Sequence, residues 1–171
     1  MANNFKPNIM QIDKADVRLR EIGLSEVELL TEYRLAYLTE MQGERPAEYI
    51  LKLRSELTEF FKAALQEERF FAFMATFKDE VISFGAMVLK KIPGDFNQSS
   101  YLEGDILNMY TVPDARRQGV SALILQRLID EAKKRGITKI SLHTSKDGEK
   151  LYRKFGFSEP AYPVLERVTD L

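Results

Sequence analysis

The turn at residues 116–122 has the side chains and the position in the chain to bind a phosphate. It reads Arg116-Arg117-Gln118-Gly119-Val120-Ser121-Ala122 and lies between a predicted strand and a predicted helix. The first turn of a helix has unpaired N–H groups and a partial positive charge, and both favour an anion. Gly119 allows the backbone to approach closely, and Ser121 and Ala122 are small. The alternative is an ordinary helix that follows a basic surface turn. The turn matches neither the GxxxxGK[ST] phosphate loop nor a dinucleotide fingerprint.

The composition is typical of one globular domain and excludes several kinds of partner. The chain has 171 residues, 44% of them hydrophobic and 30% charged, with a net charge of -1. This length predicts a single domain over residues 1–171, in which residues 1–14 form a loosely ordered polar leader. Basic and acidic side chains are interleaved, so no basic stripe indicates nucleic-acid binding. We also expect no association with a membrane, because no apolar run is long enough to span one.

The inventory of reactive side chains excludes further classes of site. With no cysteine, the chain can form no disulfide, thiolate metal site or cysteine nucleophile. A single histidine, His143, excludes a histidine-rich metal centre, and we expect no metal. The absence of cysteine is compatible with a reducing compartment. Together with the lack of a signal-peptide pattern, this predicts a cytoplasmic protein.

The hydrophobic pattern predicts the element order β-α-α-β-β-β-α-β-α-β. Strands are predicted at 16–22, 70–77, 81–92, 102–112 and 137–143, with one or two more in 157–168; helices are predicted at 25–41, from Pro46 onward, at 119–135 and at 147–155. Ser25 and Glu28 match a capping box at the start of the first helix. Phe60, Phe61, Phe70, Phe71 and Phe73 are expected in the core. A hairpin that leads into a strand-helix-strand crossover predicts an α/β (α+β) fold, with one mixed, partly antiparallel sheet flanked by helices on both faces.

Three motifs, in order along the chain, resemble those of the GNAT acetyltransferase superfamily. Residues 116–121 resemble the pyrophosphate motif R/Q-x-x-G-x-G/A, with Ser121 in place of Gly or Ala. Upstream, Asn108-Met109-Tyr110-Thr111-Val112-Pro113 resembles the end of the family's fourth strand. Downstream, Gly148-Glu149-Lys150-Leu151-Tyr152-Arg153-Lys154-Phe155-Gly156-Phe157 resembles A-x-x-L-Y-x-x-x-G-F, with Gly148 in place of Ala. The element order also matches from about Asp16 onward. The resemblance implies a GNAT-like acyl-CoA N-acyltransferase fold that uses acetyl-CoA.

The resemblance also implies where acetyl-CoA binds. In the family, the fourth strand often has a bulge and splays from the fifth, and the pantetheine arm lies between them. Met109 and Thr111 would supply backbone groups to the arm, with Tyr110 close by; the alternative is that all three only pair with a neighbouring strand. The pyrophosphate would contact mainly backbone N–H groups of Arg116, Arg117, Gln118, Gly119, Val120, Ser121 and Ala122. The Arg116 side chain is either a phosphate ligand or a solvated charge. Ser145 would bond the pantetheine or the adenosine end, or have no role.

Two side chains are candidates for proton transfer by the same resemblance. Tyr152 aligns with the family tyrosine near the sulfur and would be the general acid, unless it only packs in the core. Asp105 would be the base, as in some relatives, with Glu103 on the same strand face. The alternative is that both carboxylates are solvated charges. The N–H of Tyr110 could stabilise the oxyanion. His143 could relay a proton or be a packed residue.

The acceptor side is less defined by the sequence. By family resemblance, the first two helices wall the acceptor site, in the region of Tyr33, Tyr37, Met41 and Arg45. Neither an acidic nor a basic cluster stands out there, so the acceptor is predicted only as a primary amine of a small molecule or peptide. A homodimer is predicted from the family. The alternatives to an N-acetyltransferase are a catalytically inactive CoA-binding sensor or partner protein of the same fold, and an unrelated α/β binding domain.

Overall fold

The alternating and fully apolar runs of the sequence form a sheet with helices on both faces. The structure, a computed structural model, describes residues 11–169. Three short 3-10 helices, Lys14–Asp16, Leu24–Glu26 and Pro113–Ala115, precede the first strand, the first α-helix and the third α-helix. The main elements in chain order are β1 (Arg18–Glu21), α1 (Val27–Gln42), α2 (Ala47–Gln66), β2 (Phe70–Phe77), β3 (Glu80–Pro93), β4 (Ser100–Thr111), α3 (Val120–Lys134), β5 (Lys139–Ser141) and α4 (Lys146–Lys154).

The sheet is mixed, as the sequence predicts. Its strand order within the described residues is β1-β2-β3-β4-β5, with antiparallel pairing from β1 to β4 and parallel pairing between β4 and β5. Lys78 and Asp79 join β2 to β3 with positive φ angles of 51° and 64°, which suits the twist of a two-residue hairpin. Helix α3 makes the crossover between the parallel strands β4 and β5. The predicted fold class is therefore confirmed.

Two hydrophobic clusters, one on each face of the sheet, hold the helices in place. Because successive strand residues point to opposite faces, Phe71 and Phe73 pack on the α3 side and Phe70 on the α1–α2 side. A strand covered on both faces needs apolar residues at every position, which explains the continuous apolar run of β2. The core prediction is confirmed for these three and Phe61. It is wrong for Phe60, which is 43% exposed at the margin of the α2 stripe.

The segment before β1 is part of the fold. Ile12 is buried in the cluster under α3, and its N–H donates to Oε1 of Gln118 at 2.8 Å. Asp13 accepts from the N–H of Ala15 and caps a 3-10 turn, so β1 begins at Arg18 and not at residue 16. The prediction of a loose leader is therefore wrong for residues 11–14, and residues 1–10 lie outside the described chain.

The start of α1 differs from the predicted capping box. The 3-10 turn Leu24–Glu26 precedes the helix, which begins at Val27. The carboxylate of Glu26 accepts from the N–H of Gly23 at 3.2 Å and is paired with Arg20. Ser25 and Glu28 do not form the predicted box, because the extra 3-10 turn moves the helix start by two positions.

The last predicted strands are absent. From Phe157 to residue 169, the described tail forms neither strand nor helix. Pro160 and Pro163 lack the N–H that a sheet ladder requires, which gives a physical reason for this irregular chain. The predicted fifth strand at 137–143 is also shorter in the structure, where β5 is Lys139–Ser141.

Candidate active site between strands β4 and β5

Strand β4 has a bulge in the middle of the sheet. Leu107 pairs with Ala86 and Tyr110 pairs with Phe84, so Asn108 and Met109 lie together opposite Gly85. Asn108 has a φ of 58°, a left-handed conformation that asparagine tolerates better than most residues. A Cβ on Gly85 would lie 2.5 Å from Sδ of Met109, so the glycine makes room for the Met109 side chain. The bulge reverses which edge of β4 each following backbone group faces.

Beyond Asp105, strands β4 and β5 separate. Their pairing ends at Asp105 and Ser141, which leaves residues 106–111 of β4 without a β5 partner. We call this space the β4–β5 opening. The N–H of Val112 donates to the carbonyl of Ile82 on β3 at 3.0 Å. Because antiparallel backbone groups alternate between edges, those of Thr111 and Met109 face the opening, whereas those of Tyr110 face β3.

Helix α3 begins at the rim of this opening with a left-handed glycine. Gly119 has a φ of 81° and precedes the first helical residue, Val120. The first intrahelical bond runs from the N–H of Leu123 to the carbonyl of Gly119. The N–H groups of Val120, Ser121 and Ala122 therefore have no acceptor within the helix, and no side chain caps them from within residues 11–169. This turn can bind an anion by the main chain alone.

The Arg116 side chain is bonded to β4 and α1. Its Nε donates to the carbonyl of Thr111 at 2.8 Å, and its Nη2 lies 2.6 Å from the carboxylate of Glu40 on α1. Its guanidinium also lies 5.7 Å from the ring centre of Tyr110. The hydrogen bond with Glu40 raises the pKa of Arg116. Arg116 is thus a brace between the turn, β4 and α1, with its Nε and Nη2 engaged by β4 and α1.

The side chain of Lys14, from the segment before β1, lies over the Gly119 turn. An ideal Cβ on Gly119 would lie 2.6 Å from Nζ of Lys14 and 2.7 Å from its Cε. Arg117 is exposed in a left-handed conformation. Gln118 has its oxygen bonded by the N–H of Ile12, and its amide nitrogen donates to the carbonyl of Asp114 at 3.2 Å. The Gln118 side chain therefore holds the segment that carries Lys14.

Tyr152 of α4 lies partly buried beside the opening, with its ring 5.8 Å from that of Phe157. Burial, together with the nearby Tyr37 hydroxyl, raises the pKa of Tyr152 to about 12. The phenol therefore keeps its proton at neutral pH. A Cβ on Gly148 would lie 3.2 Å from Cε2 of Tyr152 and 2.9 Å from Oγ1 of Thr144. A side chain at position 148 would therefore require Thr144 or Tyr152 to shift.

Asp105 lies at the point where the two strands separate. Its carboxylate forms an ion pair with Lys90 and accepts from the hydroxyl of Ser141. Burial alone would raise the pKa of Asp105, but the bonds from Lys90 and Ser141, with a smaller contribution from His143, lower it. Asp105 is therefore ionised at neutral pH and is a weak base. Glu103 lies further from the opening and is paired with Lys139 at 2.7 Å.

Two further predicted residues, His143 and Ser145, lie in the loop between β5 and α4. Ser145 is the N-cap of α4, and its hydroxyl accepts from the N–H of Gly148 at 3.3 Å. His143 is exposed.

One face of α1 closes the opening on its other side. Tyr33 packs against Phe84 with ring centres 5.2 Å apart, and burial together with Tyr110 raises the pKa of Tyr33. Tyr37 faces Tyr152 across the opening, since it contributes to the raised pKa of Tyr152. By contrast, Met41 is exposed, and Arg45 is exposed and bonds only the adjacent carbonyl of Glu44 among the contacts of the described chain.

Besides Lys14 and the two partners of Asp105, sequence reasoning missed three polar residues that the structure brings to this site. Arg34 and Glu40 lie on α1, and Asn108 lies at the bulge. Arg34, Tyr37 and Glu40 recur at intervals of three, so helical periodicity could have placed them on one face. Nothing in the sequence indicates that this face meets β4.

The described part of the chain contains neither a cluster of metal-ligating side chains nor a membrane-spanning helix. Between residues 11 and 169, no group of three acidic or histidine side chains could hold a metal ion. No helix in that same range is both long and apolar enough to cross a bilayer.

The comparisons with known proteins agree with this geometry. Residues 28–157 match the model of the acetyltransferase (GNAT) family. A crystal structure of a predicted acetyltransferase with acetyl-CoA from Clostridium acetobutylicum has a TM-score of 0.75 and 28% identity, covering 88% of this chain and 96% of that one. A GCN5-related N-acetyltransferase from Ralstonia eutropha JMP134 has a TM-score of 0.72 and 21% identity, covering 88% and 98%.

A curated relative matches over a shorter stretch. The uncharacterised N-acetyltransferase YsnE of Bacillus subtilis (strain 168) is 41% identical over 59 residues, which is 32% of this chain and only 39% of that relative. The family model, by contrast, covers most of the chain, and the matched region contains β4, its bulge, the glycine turn and α4. This chain belongs to the GNAT family of acetyltransferases.

Proposed function

We propose that the protein is an N-acetyltransferase that transfers the acetyl group of acetyl-CoA directly to a primary amine of a small molecule or peptide. The observation that carries this proposal is the β4–β5 opening, which has the Gly119 turn at its rim and is faced by the backbone groups of Met109 and the N–H of Thr111, whose carbonyl is bonded by Arg116. An extended amide-containing arm that ends in a pyrophosphate would find backbone partners along the opening and unpaired N–H groups at the rim.

The residues present fit acetyl-CoA. The backbone of Gly119 is left open by the missing side chain, with only the flexible end of Lys14 beside it, and the N–H groups of residues 120–122 have no side-chain cap. Lys14 adds a positive charge to this turn, with Arg117 exposed nearby. In this assignment Arg116 and Gln118 support the turn without contacting the phosphates. Ser145 caps α4 by accepting from the N–H of Gly148, and its hydroxyl proton is the group that would bond the ligand.

When bound, acetyl-CoA supplies an acetyl group that is activated as a thioester. Transfer forms a bond between the acceptor nitrogen and the acetyl carbon and breaks the C–S bond, and the acceptor ammonium loses two protons in all. The N–H of Met109 faces the opening and is placed to bind the acetyl oxygen, a role for which Tyr110 is less suited because its backbone faces β3. Tyr152 keeps its proton and can donate it to the departing sulfur.

The proton from the acceptor nitrogen needs a separate receiver. Asp105 lies at the end of the opening where β4 and β5 separate, and its carboxylate is bonded by Lys90 and Ser141. We propose that the ionised Asp105 carboxylate orients a water molecule, and that this water accepts the proton from the acceptor nitrogen. Cytoplasmic location and a homodimer stay predictions from sequence and family.

The experiment is a thermal-shift titration with acetyl-CoA, with inorganic pyrophosphate as control, followed by release of free CoA thiol with a panel of amines. A ligand that binds only the folded protein stabilises it by about 2.7 kcal/mol at a hundredfold excess over Kd. A saturable shift with acetyl-CoA that pyrophosphate does not reproduce, and thiol release with at least one amine, would support the proposal. A shift with no turnover on any amine would instead support an inactive CoA-binding protein.

A further inference from the structure

Arg34 is a partly buried cation without a carboxylate partner. Seven arginines of the described chain form ion pairs: Arg20, Arg54, Arg69, Arg116, Arg127, Arg135 and Arg153. Among residues 11–169, the remaining arginines other than Arg34 are all exposed. Burial lowers the pKa of Arg34, although Tyr37 acts in the opposite direction. A desolvated cation is costly unless an anion compensates it, and no side chain described here supplies one to Arg34.

Asn108 is the second polar group without a full set of partners. It is only 6% exposed, and its amide oxygen accepts from Nη1 of Arg34. A guanidinium can only donate, so the oxygen must face Arg34 and the NH₂ group must face away. That nitrogen is the one buried side-chain atom without a hydrogen-bond partner in the part of the chain that the structure describes. Buried donors are almost always paired, so an unpaired one needs an explanation.

Both groups lie at the place of the proposed reaction. Asn108 is adjacent to Met109, whose N–H faces the β4–β5 opening. The guanidinium carbon of Arg34 lies 5.6 Å from the ring centre of Tyr37, and Tyr37 in turn contributes to the raised pKa of Tyr152. The unpaired cation and the unpaired donor therefore stand on the acceptor side of the opening, on the face where α1 meets the bulge.

We infer that the acceptor is a small amine that also carries a carboxylate, such as a free amino acid, and that Arg34 binds this carboxylate. The inference rests on the proposed function of the same site. A carboxylate accepts hydrogen bonds from a guanidinium in a charge-assisted pair and compensates the buried charge. Asn108 orients the guanidinium and offers a further donor to the bound carboxylate. A polyamine or aminoglycoside lacks the anion and would be repelled by Arg34.

The test compares amines that differ only at the carboxyl group. CoA thiol release is measured with L-methionine and L-phenylalanine, and with their primary amides, for the wild-type protein and three variants. Arg34→Gln removes the charge and keeps hydrogen-bonding capacity. Asn108→Asp keeps a residue that tolerates the left-handed backbone and supplies Arg34 with an internal anion. Arg18→Gln is the matched control, since Arg18 is exposed on β1 without an ion pair within the described chain.

The readout is the ratio of kcat/KM for the acid to that for its amide, each expressed per unprotonated amine, because a neighbouring carboxylate raises the pKa of the ammonium. We expect this ratio to be about tenfold or more in the wild-type protein, as for a charge-assisted hydrogen bond. It should fall to about one in Arg34→Gln and Asn108→Asp, and stay at the wild-type value in Arg18→Gln. Acetyl-CoA affinity, measured by calorimetry, shows that each variant is folded. A wild-type ratio of one or below, or a ratio that Arg34→Gln leaves unchanged, would overturn the inference while the acetyltransferase proposal stands.

A binding measurement decides the inference even without turnover. Thermal unfolding is recorded with CoA present and with each acid or amide added. Protection by the acids that exceeds that by the amides, and that Arg34→Gln abolishes, supports a carboxylate site in a protein that fails the acetyltransferase test. Equal protection by acids and amides, or none by either, overturns the inference.

Discussion

The substitution Gly119→Ala separates the phosphate turn from the rest of the fold. Gly119 has a φ of 81°, and an added Cβ would lie 2.6 Å from Nζ of Lys14. The lysine end is flexible and can move aside, but the left-handed backbone remains strained for any residue with a side chain. The methyl group would also occupy the space in which the main chain is proposed to bind phosphate.

The two effects have different magnitudes and different readouts. A left-handed conformation costs an L-residue about 1–2 kcal/mol, which in a domain of this size lowers Tm by about 2–8 °C. Loss of one hydrogen bond to a charged group costs about 1.5–3 kcal/mol, which raises the Kd for CoA by about 10- to 150-fold. We therefore expect a modest loss of stability together with a large loss of affinity.

Gly136→Ala is the matched control. Gly136 has a φ of 71° after the other end of α3, and a Cβ there would meet no atom within 4 Å. It carries the same backbone strain without changing the turn, so Tm should fall similarly while the Kd for CoA stays within about twofold of wild type.

Calorimetric titration with CoA gives the affinity, and turnover of S-acetylpantetheine, which lacks the pyrophosphate, shows whether the rest of the opening is intact. Gly119→Ala should use this truncated substrate as well as Gly136→Ala does. An unchanged Kd for CoA in Gly119→Ala would refute the assignment of the phosphate site. A similar loss in both variants would show that only strain is involved.

Three further outcomes test the chemistry. Tyr152→Phe should lower kcat more than it raises the Kd for acetyl-CoA, and a kcat equal to that of the wild type would make Tyr152 structural. Because the pKa of Tyr152 is raised to about 12, the wild-type kcat should show no loss from ionisation of Tyr152 until the pH approaches that value. Asp105→Asn should lower kcat at neutral pH about a hundredfold, and kcat should partly recover as rising pH deprotonates the acceptor amine. The control Glu103→Gln should have little effect on kcat, and equal effects of the two variants would reject Asp105 as the base. Lys14→Ala should raise the KM for acetyl-CoA about two- to fivefold, and the increase should be smaller at high salt. The control Lys78→Ala, on the β2–β3 hairpin, should leave this KM unchanged, and an equal KM in both variants would remove Lys14 from the phosphate site.

The elements that local pattern determines were predicted well. The apolar run of β2, the hairpin into β3 and the α3 stripe follow from strand and helix periodicity, and each is found close to its predicted bounds. The errors lie at chain ends and boundaries. Ile12 packs under α3 through a contact with Gln118 more than a hundred residues away, and the 3-10 turn before α1 is accompanied by the Arg20–Glu26 ion pair, which joins it to β1. Such contacts join segments that local sequence patterns treat separately.

The sequence by itself determined the family motifs, the order of the elements and the glycine turn before α3, because glycine spacing and apolar periodicity are local properties. Only the tertiary structure decided which side chains do what at the site. It turns Arg116 toward Glu40 and places Lys14 over Gly119 in its stead. It also brings Arg34 of α1 to the β4 bulge. A side chain's role depends on which neighbours share its burial and charge, and those neighbours come from distant parts of the chain.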